Sequence, residues 1–263
     1  MKTRKAKPAR GRRPRRVLVL DVGGTHVKFQ IGIDGTFAEF ESGPRMGARE
    51  MVAQVLEASV GWDYDAISMG YPGLVFHGRI AAEPHNLGHG WVGFDFSRAF
   101  GKPVRLVNDA AMQAMGSYEG GRMLFLGLGT GLGATLIIDG TVEPMEIGHM
   151  PFKHGRTYED YVGERGRERL GTKKWRKVVA AVVQQMRIAL EVDYVVLGGG
   201  NTKKLKTLPE RSRRGDNRNA FIGGVRLWQH SEQQMLTVDP GTRGASLQPR
   251  TTRAVARRRR ARR

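Results

Sequence analysis

Two segments with the same pattern constrain the fold of this chain more than any other feature. Each is an apolar run that enters a glycine turn containing a threonine: residues 18–28 read LVLDVGGTHVK and residues 124–133 read LFLGLGTGLG. Short apolar runs bounded by glycines predict buried strands joined by tight turns. A turn without β-carbons lets backbone N–H groups approach a phosphate closely, and the threonine adds a hydroxyl donor. One such turn is equally well explained by an ordinary hairpin. Two of them in one chain predict two phosphate-binding loops, one on each lobe of a cleft.

Two common phosphate-binding motifs do not describe these loops. The sequence GxxxxGK[ST] is absent, which excludes a Walker-type loop. The second loop is followed by Ala134 and an apolar run, whereas a dinucleotide fingerprint requires a helix and an acidic residue about 20 positions further on.

Composition narrows the class of protein. The 263 residues are enough for one large domain or two small lobes. The chain has no cysteine, which excludes disulfides, thiolate metal sites and a thiol nucleophile. No apolar run approaches the roughly 20 residues of a membrane span, and the N-terminus lacks the apolar core of a secretory signal. We therefore expect a cytoplasmic protein without a membrane partner.

The net charge of +19 is concentrated at the two ends of the chain. Residues 1–16 carry nine Lys or Arg, residues 250–263 carry eight Arg, and neither segment has an acidic residue. Without these 17 charges, residues 17–249 carry about +2. We expect basic disordered tails at residues 1–16 and 229–263, which either bind polyanions non-specifically or act as solubilising ends.

Between the tails, the spacing of apolar residues predicts a repeated α/β unit. Residues 17–35 and 123–140 each predict a strand, a glycine loop and a second strand. Each is followed by alternating helices and strands, which predicts an N-terminal lobe at 17–122 and a C-terminal lobe at 123–228. The further predicted elements are strands at 37–42, 66–70, 79–82, 104–107 and 194–197, and helices at 49–60, 94–100, 110–118, 175–190 and 219–228.

Polar residues at the ends of predicted strands are the candidates for chemistry. Asp21 ends the first strand, where it is placed to hold a metal–phosphate complex. Asn108 and Asp109 follow another strand, and a carboxylate there can take a proton from an attacking hydroxyl. An Asn-Asp pair before a helix is equally well explained as a helix cap. Glu146 and His149, in the segment EIGH, are suited to hydroxyls that both donate and accept hydrogen bonds.

The order of the motifs resembles that of the ROK family of sugar kinases. The segments DVGGTHVK, GYPG, VNDA, GLGTGLG, EIGH and GGGN occur in that order within residues 17–228. The chain looks most like the polyphosphate- and ATP-dependent glucokinases of that family. The resemblance implies the two-lobed α/β fold of the actin-like, ribonuclease H-like superfamily, with a duplicated unit and a central cleft.

The resemblance also implies a sugar site. Asp109 is the expected general base, and the turn containing Gly70, Pro72 and Gly73 is expected beside the sugar. Asn86 matches the Asn of the sugar loop, although a plain turn residue is the alternative. Glu159 matches a sugar-binding Glu by position, with a solvated carboxylate at a helix start as the alternative. The residues expected to bind the sugar are Gly73, Asn86, Asn108, Asp109, Glu146, His149 and Glu159.

The donor site is implied in the same way. The first phosphate loop matches Asp21, Gly23, Gly24, Thr25 and Lys28, and the second matches Gly129, Thr130 and Gly131. The adenosine-side loop matches Gly199, Gly200 and Asn201, for which a turn at the start of a helix is the alternative. Asp21 is expected to position Mg²⁺, through water, since magnesium dehydrates reluctantly. The cysteine ligands of the family's zinc motif are missing, so no zinc is expected.

These matches imply a glucokinase that transfers a phosphoryl group from polyphosphate or ATP to the 6-hydroxyl of glucose. A kinase for mannose or another hexose, and a sugar- or polyanion-binding protein without turnover, are the alternatives. A homodimer is expected because family members are often dimers. The basic segment 203–218 either lines a path for polyphosphate or is a solvated surface loop.

Overall fold

The fold consists of two five-stranded mixed sheets. A computed structural model describes residues 16–216 and 218–229. Its strands, in chain order, are β1 (Val17–Val22), β2 (His26–Ile31), β3 (Phe37–Glu41), β4 (Ala66–Tyr71), β5 (Val75–Phe76), β6 (Arg79–Ile80), β7 (Val104–Asn108), β8 (Arg122–Leu128), β9 (Leu132–Ile138), β10 (Thr141–Met145), β11 (Pro151–Lys153), β12 (Arg156–Thr157), β13 (Tyr194–Gly198) and β14 (Ser212–Arg214).

The two sheets repeat one topology. The first has the order β3-β2-β1-β4-β7 and the second has the order β10-β9-β8-β13-β14. In each, three consecutive antiparallel strands are joined by two parallel strands on the other side. The short pairs β5–β6 and β11–β12 form separate two-stranded sheets. The predicted two-lobed α/β fold with a duplicated unit is thereby confirmed.

The described part of the chain has seven α-helices, which pack on the sheets. They are α1 (Ala48–Ala58), α2 (Phe96–Phe100), α3 (Asp109–Ser117), α4 (Tyr158–Val162), α5 (Glu164–Leu170), α6 (Thr172–Ala189) and α7 (Asn219–Arg226). One apolar core joins the first sheet to α1 and α2, and another joins the second sheet to α4 and α6. In α6, the buried residues Trp175, Val179, Val182, Val183 and Met186 recur every three or four positions, which gives one apolar stripe.

Helices α3 and α7 cross at the junction of the lobes. A β-carbon at Gly116 would lie 1.8 Å from the carbonyl oxygen of Asn219, and one at Gly223 would lie 1.8 Å from that of Met112. Only glycine permits this approach. α7 also packs on β1 and β4, where the Ser68 hydroxyl donates to the Gly224 carbonyl at 2.5 Å. The last described helix therefore holds α3, which begins at Asp109, against the first sheet.

Most predicted elements are present, within a few residues of their predicted bounds. Sequence spacing did not predict the strands β5, β10, β11, β12 and β14 or the helices α4 and α5. Within the basic segment 203–218, β14 pairs in parallel with β13, so this part is the edge of a sheet rather than a loop. The predicted tails lie outside the described residues, apart from Arg16 and Gln229. No helix in the described ranges is both long and apolar enough to cross a membrane.

Candidate active site

The ends of three parallel strands bring the first group of predicted residues together. β4 lies between β1 and β7, and the register pairs Asp21 with Gly70 and Tyr71 with Asn108. Asp109 follows directly as the first residue of α3. A β-carbon at Gly70 would lie 2.6 Å from Met112 Cε and 3.4 Å from the Cα atom of Asp109. The glycine of the GYPG turn therefore lets α3 approach β4 closely.

Asp109 has the electrostatic environment of a proton acceptor. Burial and the nearby carboxylates of Asp21 and Glu146 together raise its pKa to about 7, although the Ala110 N–H that donates to Asp109 Oδ1 at 2.7 Å favours the charged form. Burial also raises the pKa of Asp21 to about 6, which the ammonium group of Lys28 partly offsets. Two carboxyl groups in one site thus titrate near neutral pH, as expected of a general base and its neighbour.

Asn108 has two structural contacts. Its Oδ1 accepts a hydrogen bond from the Ala111 N–H at 3.2 Å, so it caps α3. Its Nδ2 donates to the Gly73 carbonyl at 3.1 Å. A helix cap was one of the two interpretations of the Asn-Asp pair in the sequence. Asn108 does form that cap. The second contact joins β7 to the GYPG turn, so Asn108 lies beside Gly73 as the predicted sugar site requires.

The first glycine loop is a tight turn that contacts the loop carrying Asn86. The Gly23 N–H donates to the His26 carbonyl at 2.9 Å, which closes the turn. A β-carbon at Gly24 would lie 2.9 Å from Asn86 Cβ. Across the hairpin, Lys28 pairs in register with Asp21. The structure therefore brings the predicted first phosphate loop, Asn86 and Asp21 to one end of the first sheet, with Thr25 exposed on the turn.

The second glycine loop contacts the start of α3, and Glu159 of α4 packs against the loop. A β-carbon at Gly133 would lie 2.9 Å from Ala110 Cβ, the residue after Asp109. Glu159 Oε2 accepts the Leu132 N–H at 3.1 Å and lies only 2.2 Å from where a β-carbon at Gly131 would be. The predicted sugar carboxylate and the predicted second phosphate loop are thus in direct contact.

Glu146 and His149 lie on an exposed turn between β10 and β11. Their side chains are 52% and 61% exposed, and Glu146 Oε2 is 3.8 Å from His149 Nδ1. The charge of Glu146 reaches Asp109, since it helps to raise that pKa. The pair is therefore on the same side of the molecule as Asp109 and has free hydrogen-bonding capacity.

The predicted adenosine-side loop is attached to the second glycine loop. The backbone of Gly199 has a φ of 82°, and a β-carbon there would lie 2.4 Å from the Leu128 carbonyl oxygen. Asn201 is buried, and its Nδ2 donates to the Gly129 carbonyl at 3.0 Å. Gly200 is exposed, with no atom near its β-carbon position. Residues 199–201 therefore continue the surface of the second loop, and Asn201 supports it.

Sequence analysis did not single out Glu83, which shapes the sugar loop. Its carboxylate accepts the N–H groups of Trp91 and Val92 at 3.2 Å and 3.1 Å. The Tyr71 hydroxyl donates to the Ala82 carbonyl at 2.9 Å. These contacts fix both ends of the segment that carries Asn86. No motif contains Glu83, and its partners are backbone N–H groups. Its role therefore could not be predicted from the types of the residues around it.

Comparison with known proteins agrees with this geometry. No protein-family model matches the chain. The polyphosphate glucokinase of Mycobacterium tuberculosis strain CDC 1551 / Oshkosh is 26% identical over 215 residues, which cover 70% of this chain and 77% of that protein. The inorganic polyphosphate/ATP-glucomannokinase of Arthrobacter sp. strain KM superposes with a TM-score of 0.68 at 21% identity, over 82% of this chain and 100% of that one.

A third similar protein is the ROK family glucokinase of Streptomyces griseus, whose structure contains glucose and AMPPNP. It superposes with a TM-score of 0.65 at 16% identity, over 81% of this chain and 98% of that one. At such identities the superpositions show the fold, and the sequence likeness to polyphosphate glucokinases is independent of them. The chain is thus similar in sequence to polyphosphate glucokinases and in fold to ROK-family sugar kinases, a likeness that supports a hexokinase-type phosphotransferase.

Proposed function

We propose that this protein is a glucokinase that transfers the terminal phosphoryl group of polyphosphate or ATP to the 6-hydroxyl of glucose. The observation that carries the proposal is Asp109. It is a largely buried carboxylate with a pKa raised to about 7, and it lies beside both glycine loops. The sequence likeness to polyphosphate glucokinases supports sugar phosphorylation in general. The choice of glucose and of donor is our inference.

Proton removal is the step assigned to Asp109. As the sugar oxygen attacks phosphorus, its proton passes to the carboxylate, and a pKa near the working pH suits this task. The helix cap and the bond to Gly73 hold Asn108, and with it the start of α3, in place. In this proposal Asn86, Asn108, Glu146, His149 and Glu159 orient the sugar hydroxyls.

The donor phosphates are assigned to the two glycine loops. Backbone N–H groups and the Thr25 and Thr130 hydroxyls, both on exposed turns, supply donors for phosphate oxygens. Asp21, next to the first loop, fits the usual Mg²⁺ arrangement of one or two carboxylates plus phosphate oxygens and water. Bound there, Mg²⁺ would offset charge on the phosphates. Lys28 faces Asp21 and adds a fixed positive charge.

The test is glucose 6-phosphate formation by the purified protein with Mg²⁺. ATP and polyphosphate are supplied separately, and mannose is tested beside glucose because the Arthrobacter neighbour is named for both sugars. Asp109→Asn keeps the shape and the bond to Ala110 but cannot take the proton, so turnover should fall by at least about 10²-fold. No turnover with either donor on either sugar would overturn the proposal and favour a binding protein.

A further inference from the structure

The second glycine loop is the start of a continuous surface on the second lobe. The Glu164 N–H, the first of α5, donates to the carbonyls of Gly129 and Thr130 at 3.1 Å and 3.2 Å. Asn201, in the turn after β13, donates to the same Gly129 carbonyl at 3.0 Å. The start of α5 and the turn 200–204 are therefore both attached to the loop that we assign to donor phosphates.

Exposed cations cover this surface. Arg176 Nε donates to the Lys204 carbonyl at 2.5 Å, which ties the first turns of α6 to the turn 200–204. The charge of Lys204 also helps to lower the pKa of Glu164, which places it near the glycine loop. We call the following exposed residues the cationic face: Arg165, Lys173, Lys203, Lys204 and Lys206.

Acidic groups on this surface are few. Glu164 is paired with Arg167 in a contact between the carboxylate and the guanidinium group. Glu168 is exposed on α5. The five cations of the face therefore outnumber the acidic groups beside them, so the surface next to the second glycine loop carries net positive charge.

Three arginines in the rest of the basic segment 203–218 have other contacts. Arg213 forms an ion pair with Glu119 at 3.0 Å and donates to the Ser117 carbonyl. Arg214 donates to the Leu205 carbonyl, and Arg218 pairs with Asp34 of the first lobe. These three arginines hold backbone and lobes together, so only the first part of the segment, residues 203–206, belongs to the cationic face.

We infer that the cationic face binds the part of a linear polyphosphate chain that extends beyond the reacting phosphates. This inference rests on the proposed function and adds the route of the donor. Each internal phosphate of such a chain carries about one negative charge, and flexible lysines match a row of charges without a fixed geometry. The terminal phosphates lie in the glycine loops, and the rest of the chain leaves the cleft past Asn201 and along α6.

Helix geometry supplies a matched control for the test. At 3.6 residues per turn, Lys173 lies about 60° around α6 from Arg176, on the flank that contacts Lys204. Lys174 lies about 160° from Arg176, on the opposite flank, and is equally exposed. The test variant is Lys173→Gln combined with Lys203→Gln. The control is Lys174→Gln combined with Lys102→Gln, which removes the same charge but leaves the cationic face intact.

The measurement is the KM for polyphosphate of about a hundred phosphates, beside the KM for tripolyphosphate and for ATP, at several salt concentrations. Equilibrium binding of the long chain is measured in parallel without sugar. We expect the test variant, which loses two cations, to raise the long-chain KM and Kd about tenfold and to reduce the slope of log Kd against log salt by about 1.5. The KM for tripolyphosphate and for ATP should change less than twofold, and the control should match the wild type.

Three results would overturn the route: equal losses for all donors, equal losses in the control, or equal weakening of binding to an RNA oligonucleotide of the same charge. These results differ from failure of the proposed function, in which the wild type turns over no donor. In that case the binding measurement still decides whether the face holds polyphosphate.

Discussion

Asp109 is subject to opposing effects on its charge. As the first residue of α3, it lies where the helix dipole and the Ala110 N–H favour a carboxylate. Burial and the carboxylates of Asp21 and Glu146 have the opposite effect and prevail, since its pKa is raised to about 7. A helix-cap position alone would give an ordinary acidic carboxylate, so the neighbouring lobe and strand supply the property that a base needs.

The pH dependence of catalysis follows from this pKa. A general base acts only when deprotonated, so kcat/KM for glucose should rise about tenfold per pH unit below about 7 and level off above it. The measurement is a pH profile of kcat/KM at saturating donor. A profile that is flat between pH 5.5 and 8 would contradict the assignment of Asp109.

Asp21 provides the control for that profile. Since its charge helps to raise the pKa of Asp109, Asp21→Asn should move the acidic limb to lower pH, even though the rate itself falls. If the acidic limb of the kcat/KM profile stayed at the same pH, a group other than Asp109 would control it.

Glu159 has two roles that a pair of variants can separate. Its carboxylate accepts the Leu132 N–H beside Gly131, and it is also proposed to accept sugar hydroxyls. Glu159→Gln keeps an acceptor for Leu132 but loses the charge, so the KM for glucose should rise about ten- to hundredfold with the donor KM little changed. Glu159→Ala removes both the acceptor for Leu132 and the charge, so it should raise the KM for glucose and the KM for the donor. Steady-state kinetics of the two variants is the measurement, and identical behaviour toward the donor would contradict the coupling.

At the scale of elements, the crossing of α3 and α7 depends on glycine. A β-carbon at Gly223 would lie 1.8 Å from the Met112 carbonyl, and backbone cannot move aside as a side chain can. Gly223→Ala should lower the free energy of unfolding by about 2 kcal/mol despite the better helix propensity of alanine. It should also lower kcat, since α3 carries Asp109. Denaturant unfolding and steady-state kinetics check both.

Gly224→Ala is the comparison for that variant. Its β-carbon would lie 2.3 Å from Val19 Cγ1, a side-chain atom rather than the backbone oxygen that a β-carbon at Gly223 would meet. We expect a smaller loss of stability, and a larger loss than for Gly223→Ala would contradict the backbone argument.

The elements that sequence analysis found and missed differ in length and in charge. Strands such as β1 and β8 are apolar along almost their whole length, and α6 shows its stripe over 18 residues. By contrast, α4 and α5 have five and seven residues, too few for a periodic signal. β14 is an edge strand of Ser and two Arg, whose side chains bind carbonyls and a carboxylate elsewhere. The pairing of β14 with β13 therefore depends on the surrounding fold and not on an apolar pattern in its own sequence.

The same contrast holds for the candidate site. Motifs singled out Asp21, Asp109 and Glu159 as candidates, because carboxylates suit phosphate–metal and sugar chemistry. They did not give the partners: the bond from Asn108 to Gly73, the contact of Glu159 with the second glycine loop, or the loop held by Glu83. These contacts join residues that are distant in sequence but lie within one lobe, so they are visible only in the folded chain.

At the scale of the whole molecule, positive charge is divided between two kinds of surface. The cationic face is a local group on a nearly neutral body, whereas residues 1–16 and 250–263 carry 17 basic residues without any acid. A long basic segment without acidic residues attracts any polyanion, and its affinity falls steeply as the salt concentration rises. The cationic face lies beside the second glycine loop, so we expect it instead to bind the phosphoryl donor during turnover.

Removing residues 1–15 and 230–263 tests this division. We expect the truncated protein to lose salt-sensitive RNA binding by at least about tenfold at 0.1 M salt, since most of the unbalanced charge is gone. Its kcat and its KM for long polyphosphate should stay within about twofold of the full chain, because the cationic face and the cleft are intact. RNA binding is measured by titration at two salt concentrations, and turnover is measured with ATP as the reference donor. If the long-chain KM rose as much as RNA binding fell, while turnover with ATP was unchanged, the tails rather than the cationic face would be what captures the donor.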